Sequence, residues 1–383
     1  MRIAFLNWRD STHPEGGGAE HYAETVCRGL VARGHTVTLY CAAHGDAPAS
    51  ETVEGVHVRR QGGRLGVYAA STRALRADER AHGRYDVVVD VQNGVPFLSV
   101  LSTRSPVVSL VHHVHREQWP VVFGPVSARI GWLIESRLSP RVYRGRQYVA
   151  VSERTREELA GLGVDEQHIA VIHNGTDEPV ALGTARRPDP TIVVLGRLVP
   201  HKRVEHAIDV LARLRPTTPG LRLRVIGQGW WHDEIAAHAE QSGMADDVDL
   251  LGFVEDGVKH AELAGAWLAL APSVKEGWGL CVVEAASHGV PTIAYTNAGG
   301  LSESIVHQRT GVLVDDLDEM THEVARLLAD HEAREEMGAH ARDYARQFTW
   351  SGTVGAWERL LLHTARGKAP VAMTDAQSLT VRG

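Results

Sequence analysis

Short aliphatic runs alternate with longer stretches in which apolar side chains recur every three or four positions. Ile3-Ala-Phe-Leu6 is a continuous apolar run, the signature of a strand buried on both faces. The next stretch opens on Gly16-Gly17-Gly18 and sets Ala19, Tyr22, Ala23, Val26 and Leu30 on one face of a helix that Gly34 is placed to end. Thr36–Tyr40 then reads as a second strand, followed by strand-like Asp86–Asp90, Val107–Val111, Tyr148–Val151 and Ile169–Ile172. Strands alternating with helical patterns predict parallel sheets joined by crossover helices, the α/β class.

The alternation breaks after Thr176. Residues 177–190 hold Pro179, Pro188, Pro190 and the pair Arg186-Arg187 with no apolar period, and are expected to be a linker. A second series follows: Thr191–Leu195, Leu221–Ile226, Val248–Leu251, Trp267–Leu270 and Thr292–Tyr295, each leading into a helical pattern such as Val204–Leu214. The expectation is two Rossmann-like domains, 1–176 and 191–350, facing across a cleft. A last helix spans about 351–366, and a tail at 367–383 without periodicity is expected to be disordered. Two domains also suit 383 residues, too many for one ordinary core.

Composition narrows the function. With 40 basic and 47 acidic residues the formal charge is -7, which argues against wholesale nucleic-acid binding. Cys27, Cys41 and Cys281 lack metal-ligand spacing and fit reduced thiols. Met1 runs straight into a strand-like segment and no apolar run reaches the ~20 residues of a membrane span, so a cytoplasmic protein without a leader is expected.

The richest chemistry lies in Glu276-Gly-Trp-Gly-Leu-Cys-Val-Val-Glu284, which follows the apolar run Ala266–Ser273. A strand, a glycine turn and a helix make a place for a phosphorylated ligand. Carboxylates at both ends of the turn suit hydroxyls better than bare phosphate, so the stretch suggests a sugar joined to a diphosphate. Gly196-Arg197-Leu-Val-Pro-His-Lys202 ends another strand and brings a guanidinium fork and an ammonium to the same edge, where they would neutralise a diphosphate and its departing charge. Gly16-Gly17-Gly18 opens a helix as an anion cradle, although glycines also simply end loops. No G-x-G-x-x-G spacing supports a nicotinamide cofactor.

Other loops carry weaker signals. His112-His113-Val-His115 ends a strand, but no Glu completes a His-Glu-X-X-His pattern, so a polar contact to substrate is favoured over a metal, and His113 reads equally as a core histidine. Ser152 is as readily an N-cap as a ligand contact, and Asn174-Gly175 as readily a turn. Gly227-Gln-Gly229 and Gly252-Phe253 either admit a nucleoside or are ordinary turns, whereas Asn297-Ala-Gly-Gly300 with Glu303 favours phosphate or sugar contact. Arg129, Arg137, Arg141, Arg144 and Arg146 surround a segment with Ile130, Leu133, Ile134 and Leu138 on one face. A surface helix with a solvated basic face is the preferred reading, and weak contact with an anionic membrane the alternative.

Taken in order, these elements resemble the retaining glycosyltransferases of family 4, over about residues 1–366. The resemblance implies the GT-B fold, with the last helix crossing back to the first domain. Glu276…Glu284 is similar to that family's E-x7-E motif, and Gly196-Arg197-Leu198…Lys202 to its donor-diphosphate motif. By resemblance Glu276 bonds donor-sugar hydroxyls and Glu284 the ribose diol, Arg197 and Lys202 hold the diphosphate, and Gly277, Trp278, Gly279 and Leu280 offer backbone N–H groups. Gly17 and Gly18 match the amino-terminal glycine loop, His112 or its neighbour His113 the cleft histidine, and Asn174-Gly175 the interdomain turn. Arg203 stands where glycine is usual, and Trp230-Trp231 replaces the usual continuation after Gly229. The implied activity is transfer of a sugar from a nucleoside-diphosphate sugar to an unidentified acceptor hydroxyl, without metal or other cofactor. A hydrolysing nucleotide-sugar epimerase and a non-catalytic nucleotide-sugar-binding protein are the alternatives.

Overall fold

A computed structural model of the chain describes residues 1–177 and 185–374. The chain divides into two compact units, Met1–Gly175 with Trp350–Gly383, and Thr176–Thr349.

The first unit is built on β1 (Arg2–Leu6), β2 (Thr36–Cys41), β3 (Ser50–Val53), β4 (Val56–Arg60), β5 (Val87–Gln92), β6 (Val107–Val111), β7 (Gln147–Ala150) and β8 (Ile169–Val171). Their order is β3-β4-β2-β1-β5-β6-β7-β8, parallel except for the β3–β4 hairpin. Ile3 to Leu6 and Val87 to Val89 are fully buried, as expected of strands covered by helices on both faces. The hairpin turns at Glu54 and Gly55, both with positive φ (47° and 82°), the backbone of a two-residue turn. Sequence inspection overlooked this pair because β4 alternates buried and exposed positions in too short a run.

The helix Trp350–Ala365 belongs to this unit and packs on Gly18–Ala32. Trp357 Nε1 donates to Tyr22 Oη at 2.7 Å, and Tyr22 Oη donates to Ile172 O at 3.0 Å. Gly29 permits the approach, since a Cβ there would lie 2.4 Å from Val354 Cγ2.

Two expectations of irregular chain need correction. Residues 367–374, expected to be disordered, are in part fastened to the first sheet, with Met373 and Thr374 against the edge strand β8. Val371 N donates to Gln147 Oε1 at 2.8 Å and Val171 N to Met373 O at 2.6 Å, so the segment covers an otherwise open sheet edge. Residues 375–383 lie outside the described part. The described end of the expected linker is fastened to the second unit: Arg187 N donates to Gly265 O at 3.0 Å, and Arg186 Nη1 to Ala264 O at 3.0 Å. Residues 178–184 lie outside the described part.

The second unit carries β9 (Thr191–Leu195), β10 (Arg222–Ile226), β11 (Val248–Gly252), β12 (Leu268–Ala271), β13 (Thr292–Tyr295) and β14 (Gly311–Val314). The order is β11-β10-β9-β12-β13-β14, all parallel. From β9 the chain adds strands outward in one direction, and from β12 in the other. The switch point between β9 and β12 opens a crevice at their carboxyl ends, the place where open α/β sheets hold ligands. Among the described residues, no helix is long and apolar enough to cross a membrane.

Candidate functional site

The two loops at that switch point carry the expected charges. After β9, buried Leu198 anchors the loop, and a tight turn at Pro200–Lys202 delivers Lys202. After β12, buried Ser273 precedes Glu276. Val274 N donates to His201 O at 2.8 Å and ties the loops together. Lys202 Nζ donates to Glu276 Oε1, which also accepts from Ser273 Oγ at 2.7 Å. Burial pushes the Glu276 carboxyl up, but the Lys202 ammonium and the Ser273 hydroxyl outweigh it and hold the group below its ordinary value. Glu276 is therefore ionised and pre-oriented. Arg197 is exposed beside this pair, and Gly196, Arg197, Lys202, Ser273 and Cys281 line a small recess.

The glycines of these loops have a structural task. A Cβ on Gly227 would stand 1.9 Å from Gly196 O, and one on Gly229 2.0 Å from Leu198 O. Leu198 N donates to Gln228 O at 3.0 Å, so Gly227-Gln-Gly229 lies backbone to backbone on the Arg197 loop and braces it. Asn297-Ala-Gly-Gly300 does the same for Glu276. Glu276 N donates to Ala298 O and Gly300 N to Glu276 O, each at 3.0 Å, and a Cβ on Gly300 would meet Gly277 O at 2.2 Å.

Gly279, with φ of 89°, begins the helix Leu280–Ser287, whose first amides lack intrahelical acceptors and give that end positive character. Trp278 turns inward and packs edge to face on Phe348 at 4.9 Å, so its side chain is core and only its backbone faces the turn. Glu284 Oε1 accepts from Lys259 Nζ at 2.9 Å. Burial pushes the Lys259 ammonium down, yet Glu284 and Asp256 overcome it and hold the pKa above the ordinary value. Phe253 is 75% exposed, just past the end of β11, while Trp230 is 56% exposed past neighbouring β10.

Sequence inspection missed Ser273 and Lys259. Ser273 stands three residues before Glu276, but nothing in that spacing distinguishes a partner from a strand-end serine. Lys259 is 25 residues from Glu284, and their meeting depends on helix packing.

The remaining candidates belong to the first unit. Gly17 N donates to Glu20 Oε2 at 2.9 Å, so the carboxylate of the following helix occupies one amide of the expected cradle; Gly18 begins that helix. His112 is buried against Tyr22, rings perpendicular at 5.3 Å, and its Nε2 has no hydrogen-bond partner among the described residues. Burial, with a smaller contribution from His115, brings its pKa down to about 3, so it is neutral. His113 is half-buried and shares a hydrogen bond with Gln118 Oε1 at 2.9 Å. His115 instead engages Glu135 Oε1 at 2.9 Å, and Glu135 Oε2 accepts from Trp119 Nε1 at 2.7 Å. Among the described residues no three His, Cys, Asp or Glu side chains are grouped to hold a metal ion. Ser152 is an N-cap, accepting from Thr155 N at 3.1 Å. Asn174 is buried, and its Oδ1 has no partner among the described residues.

Residues 183–344 match the model described as glycosyl transferases group 1, and residues 16–178 that of glycosyltransferase family 4. A D-inositol 3-phosphate glycosyltransferase of Segniliparus rotundus is 26% identical, over 92% of this chain and 87% of that one. An exopolysaccharide phosphotransferase of Streptomyces coelicolor is 33% identical, but the match takes in 55% of this chain and only 23% of that protein. A glycogen synthase of Mycobacterium tuberculosis is 32% identical over 55% of this chain and 52% of its own length. The chain thus spans about a quarter of one of these relatives and about half of another. Among solved structures, sucrose-phosphate synthase from Thermosynechococcus elongatus superimposes with a TM-score of 0.82 at 18% identity, covering 96% of this chain and all (100%) of that one. Anabaena HepE in complex with UDP and glucose gives 0.73 at 20% identity, covering 94% and 99%. At such identities the likeness shows the fold.

Proposed function

The chain belongs to the family 4 glycosyltransferases with the GT-B fold, and we propose that it moves a sugar from a nucleoside diphosphate to an acceptor hydroxyl, without a metal and with retention at the anomeric carbon. The observation that carries the proposal is the Lys202–Glu276 pair at the switch point of the second sheet. A carboxylate already compensated by an ammonium accepts hydrogen bonds from sugar hydroxyls without leaving a bare charge in the recess. A diphosphate entering beside it shares the Lys202 ammonium with Glu276 and meets the exposed Arg197 guanidinium. Those two cations and the first amides of Leu280–Ser287 stabilise the charge that grows on the departing phosphate, the task a divalent ion performs elsewhere.

Glu276 is tied to Lys202 and Ser273 and held ionised, which suits a hydroxyl clamp rather than a general acid. Glu284 keeps Oε2 available for the ribose diol while Lys259 orients it. With no side chain assigned as nucleophile, the departing phosphate accepts the proton of the incoming hydroxyl on the same face, and configuration is retained. Neutral His112, whose buried Nε2 has no partner among the described residues, is the candidate acceptor for a ligand hydroxyl.

A thermal-shift panel of UDP, GDP, ADP and dTDP tests this reading. At about 100 times its Kd the correct nucleotide adds roughly 2.7 kcal/mol of stability. UDP is the first to try, because Anabaena HepE holds it. If none of the four raises the melting temperature, the donor site is misassigned.

A further inference from the structure

The segment from Pro125 to Val142 is a continuous helical run with a π turn at Ile134–Leu138, and its amphipathicity is inverted. Its fully buried residues are small or polar, Ala128, Gly131, Glu135 and Ser139, while Trp132 and Val142 pack half-buried against the core. Gly131 lies against the Trp119 ring, where a Cβ would meet Cζ3 at 2.3 Å. Glu135 accepts from the His115 and Trp119 side chains, and Ser139 Oγ donates to Gln92 Oε1 at 2.7 Å. The opposite face is apolar and bare: Val126 is 71%, Ile130 55% and Leu133 59% exposed. Val121, Phe123 and Leu138 extend it, so six of the thirteen exposed large hydrophobic residues among the described ones fall within residues 121–138. Beyond the preferred sequence expectation, a surface helix with a solvated basic face, the apolar Ile130, Leu133 and Leu138 are exposed as well.

Charge identifies what covers this face. Within residues 116–146, Arg116, Arg129, Arg137, Arg141, Arg144 and Arg146 are exposed, against a single exposed carboxylate, Glu117. This excess stands out on a chain of net charge -7. We propose that the face is a membrane-docking surface that lays Val126, Ile130 and Leu133 into the interface of an anionic bilayer while the arginines engage lipid headgroups. An apolar stripe flanked by basic side chains on a helix that does not span is the pattern of an in-plane membrane contact. A second copy of the chain suits it less, because pairing two such faces sets arginines against arginines. The inference is independent of the proposed sugar transfer.

Vesicle cosedimentation of the full chain provides the test. The wild type is expected to partition onto phosphatidylcholine vesicles doped with phosphatidylglycerol, weakly onto phosphatidylcholine alone, and to be released by salt. Ile130→Ser with Leu133→Ser should cut partitioning more than tenfold. Arg129→Ser with Arg137→Ser should cut it about fivefold per arginine and flatten the salt dependence. Because these side chains are exposed, circular dichroism and melting temperature should stay at wild-type values. The proposal is overturned if the wild type stays in the supernatant, if the variants bind like the wild type, or if the wild type is a dimer in sedimentation velocity that Ile130→Ser dissociates.

Discussion

Lys202 and Glu276 lie 74 positions apart in the chain and form an ion pair where the strand order of the second sheet reverses. The pair joins a loop after β9 to a loop after β12, so it ties two walls of the recess together. Each partner is thereby held by the other before any ligand arrives.

Removing one partner separates its two roles. Lys202→Ala leaves the buried Glu276 carboxyl without its compensating ammonium and is expected to cost about 1–3 kcal/mol of stability. Transfer should fall by about a hundredfold or more, the scale of losing one preorganised stabilising group. Glu276→Gln should preserve the fold and still lose transfer. Wild-type turnover by either variant would take the pair out of the reaction.

The brace behind the donor loop is steric. Gly227→Ala places a methyl group 1.9 Å from Gly196 O, a contact that only backbone movement relieves. The variant is expected to lose more than about 2 kcal/mol in urea unfolding. It should also bind nucleotide more weakly, because Arg197 and Lys202 lose their support. A variant with wild-type stability would mean that the loop yields freely.

Arg203 has φ of 49° and ψ of 44°, a left-handed backbone at the head of the helix Val204–Leu214. Such a conformation costs an L-residue about 1 kcal/mol, which glycine avoids while losing part of the gain through its freer unfolded state. Arg203→Gly should therefore be neutral or stabilising by up to about 0.5 kcal/mol, and Arg203→Val destabilising by more than about 1 kcal/mol. Equal melting temperatures for the two variants would remove backbone strain as the explanation.

Acid should expose the buried histidine. His112 binds its proton at about 3 in the folded chain and near 6.5 when unfolded, so between these values the unfolded state binds more protons. Stability contributed by neutral His112 is fully present above about pH 6.5 and is lost as pH falls towards 3, by at most about 1.4 kcal/mol per pH unit. His112→Phe should lose less stability than the wild type on acidification from neutral pH to about pH 5, read from denaturant midpoints. His288, drawn down to about 4 chiefly by burial, contributes a parallel slope and supplies a control substitution. An unchanged slope in His112→Phe would contradict the assignment.

Legibility in the sequence followed the range of the interactions. Val107–Val111, Thr191–Leu195 and Thr292–Tyr295 read as strands to the residue, because a short, mostly apolar run between polar turns reports burial on both faces. The β3–β4 hairpin and β14 (Gly311–Val314) did not, being short runs whose pairing depends on distant strands. Ser152 could be read as a cap because capping is local, whereas the edge-covering role of residues 370–374 could not, because it depends on Gln147.

By itself the sequence determined the alternation of strands and helices, two glycine-containing charged loops, and the residue types suited to sugar and diphosphate. Local chemistry and periodicity suffice for those. Tertiary structure alone decided that Lys202 meets Glu276 and that Lys259 holds Glu284, since their neighbours are set by strand order. It also decided that Gly227 and Gly300 serve backbone contacts, and that Ile130 and Leu133 face outward. A helical pattern defines two faces, but only the packing of Gly131 on Trp119 and the hydrogen bonds to Glu135 choose which one turns inward.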